Sequence, residues 1–228
     1  MAIDIRANLN RMRETIERAA QTTGRKMEDI IVVAVTKTVP INRIQQAYEE
    51  GIRHFGENRI QEWQGKYEHF QVSELHWHLI GRLQSNKINK TLGRFALIQS
   101  IDRLDLVRAL HERLEKNDQY QEILLEVKTS REDSKSGFEV EYLHNHCAEL
   151  KSYNRLIIKG LMTIGENSDD ERIVRSCFAS LRALYQEIDR MKLFPMTYLS
   201  MGMSYDYPWA IAEGANMVRI GSAIFGER

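Results

Sequence analysis

"IIVVAVTKTV", residues 31–40, opens with an almost unbroken run of β-branched and small apolar residues, and Lys37 follows directly after it. Such a run is typical of a strand that is buried on both faces, as in a parallel sheet. Lys37 therefore lies where a buried strand leaves the core, which is the end at which α/β proteins place their sites. It is either a solvated surface charge or an amine held for chemistry.

Strand-like and helix-like segments alternate along the rest of the chain. The predicted strands begin near residues 30, 53, 75, 95, 122, 156, 197 and 217, with amphipathic segments such as "INRIQQAYEEG" and "RLDLVRALHERLEKN" between them. Eight such units predict an α/β fold of the (β/α)8 TIM barrel type, preceded by an extra N-terminal helix. An open doubly wound sheet is the alternative, although no GxGxxG motif follows the first strand. No Pro- or Gly-rich linker divides the chain, so we expect residues 1–228 to form a single domain.

The composition excludes several classes of function. The 228 residues have a net charge of zero and no block of basic residues, which argues against nucleic acid and anionic membranes as partners. The N-terminus has an acid at Asp4 and no apolar core, so we expect a cytoplasmic protein without a secretory signal. Cys147 and Cys177 lie in helix-like stretches and are expected to be reduced thiols. His76 and His78 share a strand face, but no third ligand is suitably spaced, so no metal site is predicted.

The last two predicted strands end in sequences suited to binding phosphate. "LSMGMSYDYPWA" supplies Ser204, and "NMVRIGSAIFG" supplies Gly221 and Ser222, which offer a backbone N–H group and a hydroxyl. TIM barrels often bind phosphate at these two loops. Arg219 points either into the barrel mouth or into the helix layer, and in apolar surroundings it needs a partner. An amine, a phosphate site and a guanidinium together suit a phosphorylated aldehyde or ketone, and pyridoxal 5′-phosphate is the common cofactor of this kind.

Several longer stretches carry a specific resemblance. The chain resembles the pyridoxal phosphate homeostasis protein family, which is related to the N-terminal barrel of alanine racemase. The matching stretches run from about residue 31 to the C-terminus and are "AVTKT", "FGENRIQE", "WHLIGRLQSNK", "IQSIDR", "SKSGF", "GLMTI", "LSMGMSYDYPWAI" and "MVRIGSAIFG". The resemblance implies a pyridoxal phosphate cofactor bound in a TIM barrel.

The resemblance also implies a role for individual residues. Lys37 would carry the cofactor as an internal aldimine, and Arg219 would meet the pyridine nitrogen. Further cofactor-binding residues would be Asn58 at the ring, Met203 near the phosphate loop, and Ser204, Gly221 and Ser222 at the phosphate. From the residues alone, Asn58 could equally cap the helix that begins in "ENRIQEWQGKY". We also hypothesise that Lys135, beside Gly137, makes a transient second aldimine as the cofactor enters or leaves.

The predicted site favours a carrier over an enzyme. An arginine at the ring nitrogen keeps that nitrogen unprotonated and weakens the ring as an electron sink. Alanine racemase uses a tyrosine from a second domain as its other acid, and we expect no such domain because the chain ends at Arg228. We therefore expect no catalytic residues and a monomer that holds pyridoxal phosphate and supplies it to dependent enzymes, with transient contact to their apo forms.

Two enzymatic alternatives stay open. A pyridoxal-phosphate-dependent racemase or lyase would need Tyr205, Tyr207 or a histidine as its second acid, and "SYDYPWA" brings two tyrosines to the rim. A class I aldolase would form its Schiff base with a sugar-phosphate ketone. Its lysine usually lies on a later strand, which disfavours it here.

Overall fold

A closed parallel barrel forms the centre of the protein. The computed structural model describes residues 3–132 and 135–227. The eight barrel strands are β1 Ile31–Val35, β2 His54–Glu57, β3 His76–Leu79, β4 Leu97–Ile101, β5 Gln121–Lys128, β6 Leu156–Met162, β7 Tyr198–Ser200 and β8 Met217–Ile220. Neighbours pair in the order β4-β3-β2-β1-β8-β7-β6-β5, and β4 pairs with β5 to close the ring. The predicted TIM barrel is therefore confirmed, and each strand begins within two residues of its predicted start.

Helices surround the barrel and cover its outer face. They are α1 Ile5–Gln21, α2 Ile41–Glu49, α3 Ile60–His69, α4 Leu104–Lys116, α5 Val140–Asn145, α6 Cys147–Lys151, α7 Glu171–Arg190, α8 Tyr207–Ala212 and α9 Ser222–Phe225. Short 3-10 helices span Met27–Asp29 and Ser85–Lys90, and a two-residue strand, Phe138–Glu139, pairs with β5. In the part of the chain that the structure describes, no helix combines the length and the apolar character that a bilayer crossing needs.

The apolar residues divide into an outer and an inner core. The outer core lies between the strands and the helices and holds most of the buried apolar side chains. A separate inner cluster lies inside the barrel and consists of Val33, Leu97, Leu124, Met162 and Met217. Both faces of β1 are therefore covered, as its apolar sequence predicts. The buried polar residues His78 and Gln99 share the inside of the barrel with this cluster, and the Gln99 side-chain nitrogen lies 3.3 Å from the Met217 sulfur.

The predicted N-terminal helix is present as α1, and Asp4 caps its first turn by accepting a hydrogen bond from the Ala7 N–H at 2.9 Å. Its buried stripe packs against α8 and α9, the helices that follow the last two strands. The Asn8 side chain donates to the Ile224 carbonyl of α9 at 2.8 Å. Helix α1 thus supports the segment around Gly221 from outside the barrel.

Both cysteines are free and buried, in the helices that the sequence predicts. Burial raises the pKa of the Cys147 thiol, because it disfavours the thiolate. Cys147 is therefore protonated and unreactive at neutral pH.

Candidate functional site

A cavity of about 430 Å³ opens at the carboxyl end of the barrel. This volume lies within the range of roughly 300–1,000 Å³ that is usual for small-molecule sites. The lining contains six of the predicted site residues, namely Lys37, Met203, Ser204, Arg219, Gly221 and Ser222. Val35, Tyr205 and Glu227 complete the lining, and only Tyr205 figures in the sequence analysis, as a candidate acid. The structure thus brings together in one cavity residues from β1, β8 and the loops after β7 and β8.

A buried polar cluster holds the turn that carries Lys37. Thr36, the residue before it, is fully buried, and its hydroxyl lies 2.5 Å from a Glu57 carboxylate oxygen. The Lys66 ammonium group donates to the Thr36 carbonyl at 2.7 Å and to Glu57 at 2.7 Å. Thr38, the residue after Lys37, has a φ of 60° and donates its N–H to Glu62. Helix α3 and β2 therefore fix the backbone on both sides of the lysine.

The Glu57–Lys66 pair supports this turn at an energetic cost. The Glu57 side chain is fully buried and that of Lys66 is 11% exposed. Burial raises the pKa of Glu57, and the hydrogen bonds from Lys66 and Thr36 oppose that rise. The carboxylate therefore depends on its two partners to remain charged in the core. This pair was not predictable from the sequence, because nothing in "FGENRIQEWQGK" shows which charges face inward.

Lys66→Met is expected to destabilise the protein by about 3 kcal/mol at neutral pH, because it leaves the Glu57 carboxylate buried without its cation. A carboxyl group whose pKa is higher in the folded state than in the unfolded state contributes most to the free energy of unfolding below its unfolded-state pKa. That contribution is lost as the pH rises through the folded-state pKa. The loss should thus be smaller at about pH 5 than at about pH 8. Urea unfolding of both proteins at the two pH values measures it. An equal loss at both pH values would contradict this account.

Arg219 points into the barrel mouth and is 4% exposed. Its Nη1 donates to the Ser200 hydroxyl and its Nη2 donates to the Thr163 carbonyl, both at 2.7 Å. Burial lowers the pKa of Arg219 to about 10, and the nearby carboxylates of Asp206 and Glu126 oppose this shift. The guanidinium therefore remains a cation at neutral pH, and its two anchors leave further N–H groups for a bound molecule.

Hydrogen-bond donors converge at the loop after β8. The Ser204 hydroxyl oxygen accepts from the Gly221 N–H at 3.1 Å and from the Ala223 N–H at 3.4 Å. Gly221 and Ser222 lie at the start of α9, Ser204 lies in the loop after β7, and all three line the cavity. An anion bound beside these residues can accept hydrogen bonds from several donors. Charge and donors thus suit a small molecule that carries a phosphate.

Asn58 lies apart from this group. It lines a neighbouring cavity together with three basic residues, Arg59, Arg82 and Lys87, and it does not line the cavity that contains Lys37. Its contact with a cofactor ring therefore stays a prediction. The alternative role as a helix cap is wrong, because α3 begins at Ile60 with Arg59 as its N-cap residue and no side-chain capping hydrogen bond.

The remaining candidate acids and bases occupy three different surroundings. Tyr205 is 79% exposed, and its hydroxyl lies 3.3 Å from a Glu227 carboxylate oxygen. Tyr207 is buried in α8 and is not part of the cavity lining. Lys135 lines an adjacent cavity, which shares Met203 and Tyr205 with the first, and its ammonium group lies 3.7 Å from the Glu132 carboxylate. Its transient role stays a hypothesis.

The fold and the cavity define the general class of this protein. Residues 6–228 match the family model of the alanine racemase N-terminal domain. An alanine racemase of Clostridium difficile 630 shares the fold, with a TM-score of 0.75 at 14% identity over 98% of this chain and 56% of the racemase. The chain is therefore built on the barrel domain that occurs in alanine racemases.

More similar relatives define the family within that class. The chain is 39% identical over 220 residues to the pyridoxal phosphate homeostasis protein of Aquifex aeolicus, which covers 96% of each chain. It also resembles the structure of PipY of Synechococcus elongatus PCC7942 with PLP bound, with a TM-score of 0.83 at 33% identity over 93% of this chain and 100% of PipY. The chain belongs to the pyridoxal phosphate homeostasis protein family.

Proposed function

We propose that this protein binds pyridoxal 5′-phosphate in its rim cavity, holds it covalently on Lys37 and supplies it to pyridoxal-phosphate-dependent enzymes inside the cell. The observation that carries the proposal is the convergence in one cavity of an amine, a buried guanidinium and a set of hydroxyl and N–H donors. The naming of its relatives and the PLP-bound PipY structure support the choice of cofactor.

The residues of the cavity match the functional groups of pyridoxal phosphate. Lys37 would meet the aldehyde, and its neutral amine would be the nucleophile that attaches the cofactor as a Schiff base, with release of one water. The phosphate would accept hydrogen bonds from Ser204, Ser222 and the Gly221 N–H. Arg219 would donate to the ring nitrogen, which is an acceptor only while it is unprotonated. Met203 would cover the phosphate end of the molecule from the rim.

The same residues favour storage over catalysis. A cation at the ring nitrogen opposes its protonation, so carbanionic electrons are stabilised less well. Racemisation also needs a second acid or base within reach of the substrate α-carbon. Of the two tyrosines near the mouth, Tyr207 is buried outside the cavity lining and Tyr205 is largely exposed to solvent. We therefore propose a non-catalytic carrier.

An amino-acid racemase is the second candidate, because Tyr205 does line the cavity. Proton exchange at the substrate α-carbon separates the two functions. The loaded protein is incubated in heavy water with L- and D-amino acids, and the α-proton is followed by NMR, with Lys37→Ala and Tyr205→Phe as controls. We expect no exchange above the Lys37→Ala background. Exchange at catalytic rates that depends on Tyr205 would overturn the carrier proposal in favour of a racemase.

Supply of the cofactor is tested by reactivation of an apoenzyme. We propose that the protein acts as a monomer and that transfer involves transient contact with the recipient, so the rate of reactivation should exceed the rate of spontaneous release and rise with the concentration of the apoenzyme. A rate that stays equal to spontaneous release, measured across a dialysis membrane, would contradict transfer by contact. Light scattering of the loaded protein gives the oligomeric state.

A further inference from the structure

A buried chain of hydrogen bonds leads away from Arg219 through the inside of the barrel. The Arg219 Nη1 donates to the Ser200 hydroxyl, and the Ser200 hydroxyl donates to the side-chain amide oxygen Oε1 of Gln99, both at 2.7 Å. The Gln99 amide nitrogen lies 3.0 Å from Nδ1 of His78, and Nε2 of His78 lies 2.9 Å from Nδ1 of His54. The chain joins one residue from each of five strands, and all but His54 are buried.

Donors and acceptors can be arranged along this chain in one direction only. A guanidinium has donors and no acceptor, so the Ser200 hydroxyl must accept from Arg219. It then donates its single proton to Oε1 of the Gln99 side chain. The Gln99 amide group then donates to Nδ1 of His78, which places the His78 proton on Nε2. From there His78 donates to His54. Each group thus satisfies the next, and none of these interior hydroxyl, amide or imidazole groups is left unpaired.

Both histidines at the far end of the chain remain neutral, as this direction requires. Burial, together with repulsion from His76, lowers the pKa of His54 to about 4. Burial likewise places the pKa of His78 well below its ordinary value. A proton added to Nδ1 of His54 would face the N–H of His78 and break the chain. At neutral pH, Nδ1 of His54 therefore accepts the last hydrogen bond of the chain, which Nε2 of His78 donates.

Two anchors fix the plane of the guanidinium. The first is the Ser200 hydroxyl at Nη1, and the second is the Thr163 carbonyl at Nη2. A planar group held at both terminal nitrogens cannot rotate about its stem, so the remaining N–H groups keep a constant direction toward the cavity. Ser200 can serve as an anchor only while Gln99 accepts its proton. Both Ser200 and Gln99 are fully buried, and neither belongs to the cavity lining.

We propose that Ser200 and Gln99 are positioning residues, which hold Arg219 in the orientation in which it donates to the ring nitrogen of pyridoxal phosphate. This inference rests on the proposed function, because it concerns the same cofactor in the same cavity. It adds that recognition of the ring nitrogen depends on residues that do not touch the cofactor. Loss of either residue should weaken the contact with the nitrogen and leave the contacts with the aldehyde and the phosphate intact.

The test compares two ligands that differ at one atom. Dissociation constants are measured by absorbance for pyridoxal phosphate and for its 1-deaza analogue, in which a C–H group replaces the ring nitrogen. We expect the wild-type protein to prefer pyridoxal phosphate. Ser200→Ala should weaken the binding of pyridoxal phosphate by about tenfold, as expected for a lost hydrogen bond to a charged group, and leave binding of the analogue unchanged. Gln99→Met should shift the preference in the same direction.

Matched variants separate positioning from a general structural effect. Ser100→Ala is the control, since Ser100 is also buried and its hydroxyl donates to the Gly81 carbonyl at 2.7 Å, outside the chain. Ser200→Thr keeps the hydroxyl and should restore the preference. Equal weakening of both ligands in Ser200→Ala, or no ligand preference in the wild-type protein, would overturn the inference. Failure of the wild-type protein to bind either ligand through Lys37 would instead overturn the proposed function.

Discussion

Lys37→Ala is expected to abolish covalent binding of pyridoxal phosphate completely. In the part of the chain that the structure describes, Lys37 supplies the only amine in the lining of the cavity, and the Schiff base cannot form without an amine. The phosphate donors at Ser204 and Ser222 and the guanidinium of Arg219 remain, so reversible binding should persist at lower affinity. Borohydride reduction of the loaded protein followed by intact-mass measurement detects the attached cofactor directly.

Two lysine variants control for charge and for location. Lys37→Arg keeps the positive charge but cannot form the Schiff base, and it should behave like Lys37→Ala in the mass measurement. Lys135→Ala removes the amine of the adjacent cavity and should retain full attachment at Lys37. Attachment that survives in Lys37→Ala and disappears in Lys135→Ala would show that the cofactor lysine was assigned to the wrong cavity.

Gly160→Ala is expected to destabilise the protein by more than about 4 kcal/mol, or to prevent folding, because β6 and β7 approach each other closely at this residue. Gly160 lies in β6 with a φ of 154°, and a Cβ atom placed on it would lie 1.8 Å from the Tyr198 carbonyl oxygen of β7. That oxygen belongs to the backbone of the paired strand, so it can move only if the barrel opens. Circular dichroism and urea unfolding measure the effect.

Gly65→Ala is the matched control for this substitution. Gly65 is exposed in α3, and a Cβ atom added to it would meet nothing within 4 Å. Alanine has the higher helix propensity, so this variant should gain about 0.5–1 kcal/mol. If Gly160→Ala were as stable as the wild-type protein, the strands could not approach at Gly160 as closely as described.

The order and the approximate limits of the strands followed from the sequence, because most strands are short, largely apolar runs bounded by polar or glycine-containing segments. The run at residues 31–35 is buried on both faces in a barrel, so its composition alone indicated a parallel strand. The gathering of Lys37 and Ser204 could likewise be predicted once the strands were counted, since all parallel strands end at the same rim. Strand alternation left the direction of Arg219 open, and the structure places its side chain in the cavity.

The tertiary structure alone decided how these residues are held. The turn that carries Lys37 is held by Lys66 of α3. The residues that hold Arg219 come from distant strands, since Ser200 and Gln99 share a hydrogen bond although they are 101 positions apart in the chain. Sequence periodicity reports which face of a strand or helix is apolar, and it carries no information about which polar groups meet across a barrel. Asn58 illustrates the same limit, because its place just beyond β2 was predictable while the cavity it faces was not. The sequence by itself determined the barrel and the chemistry available at its rim, whereas only closure of the sheet decided which buried donors and acceptors pair.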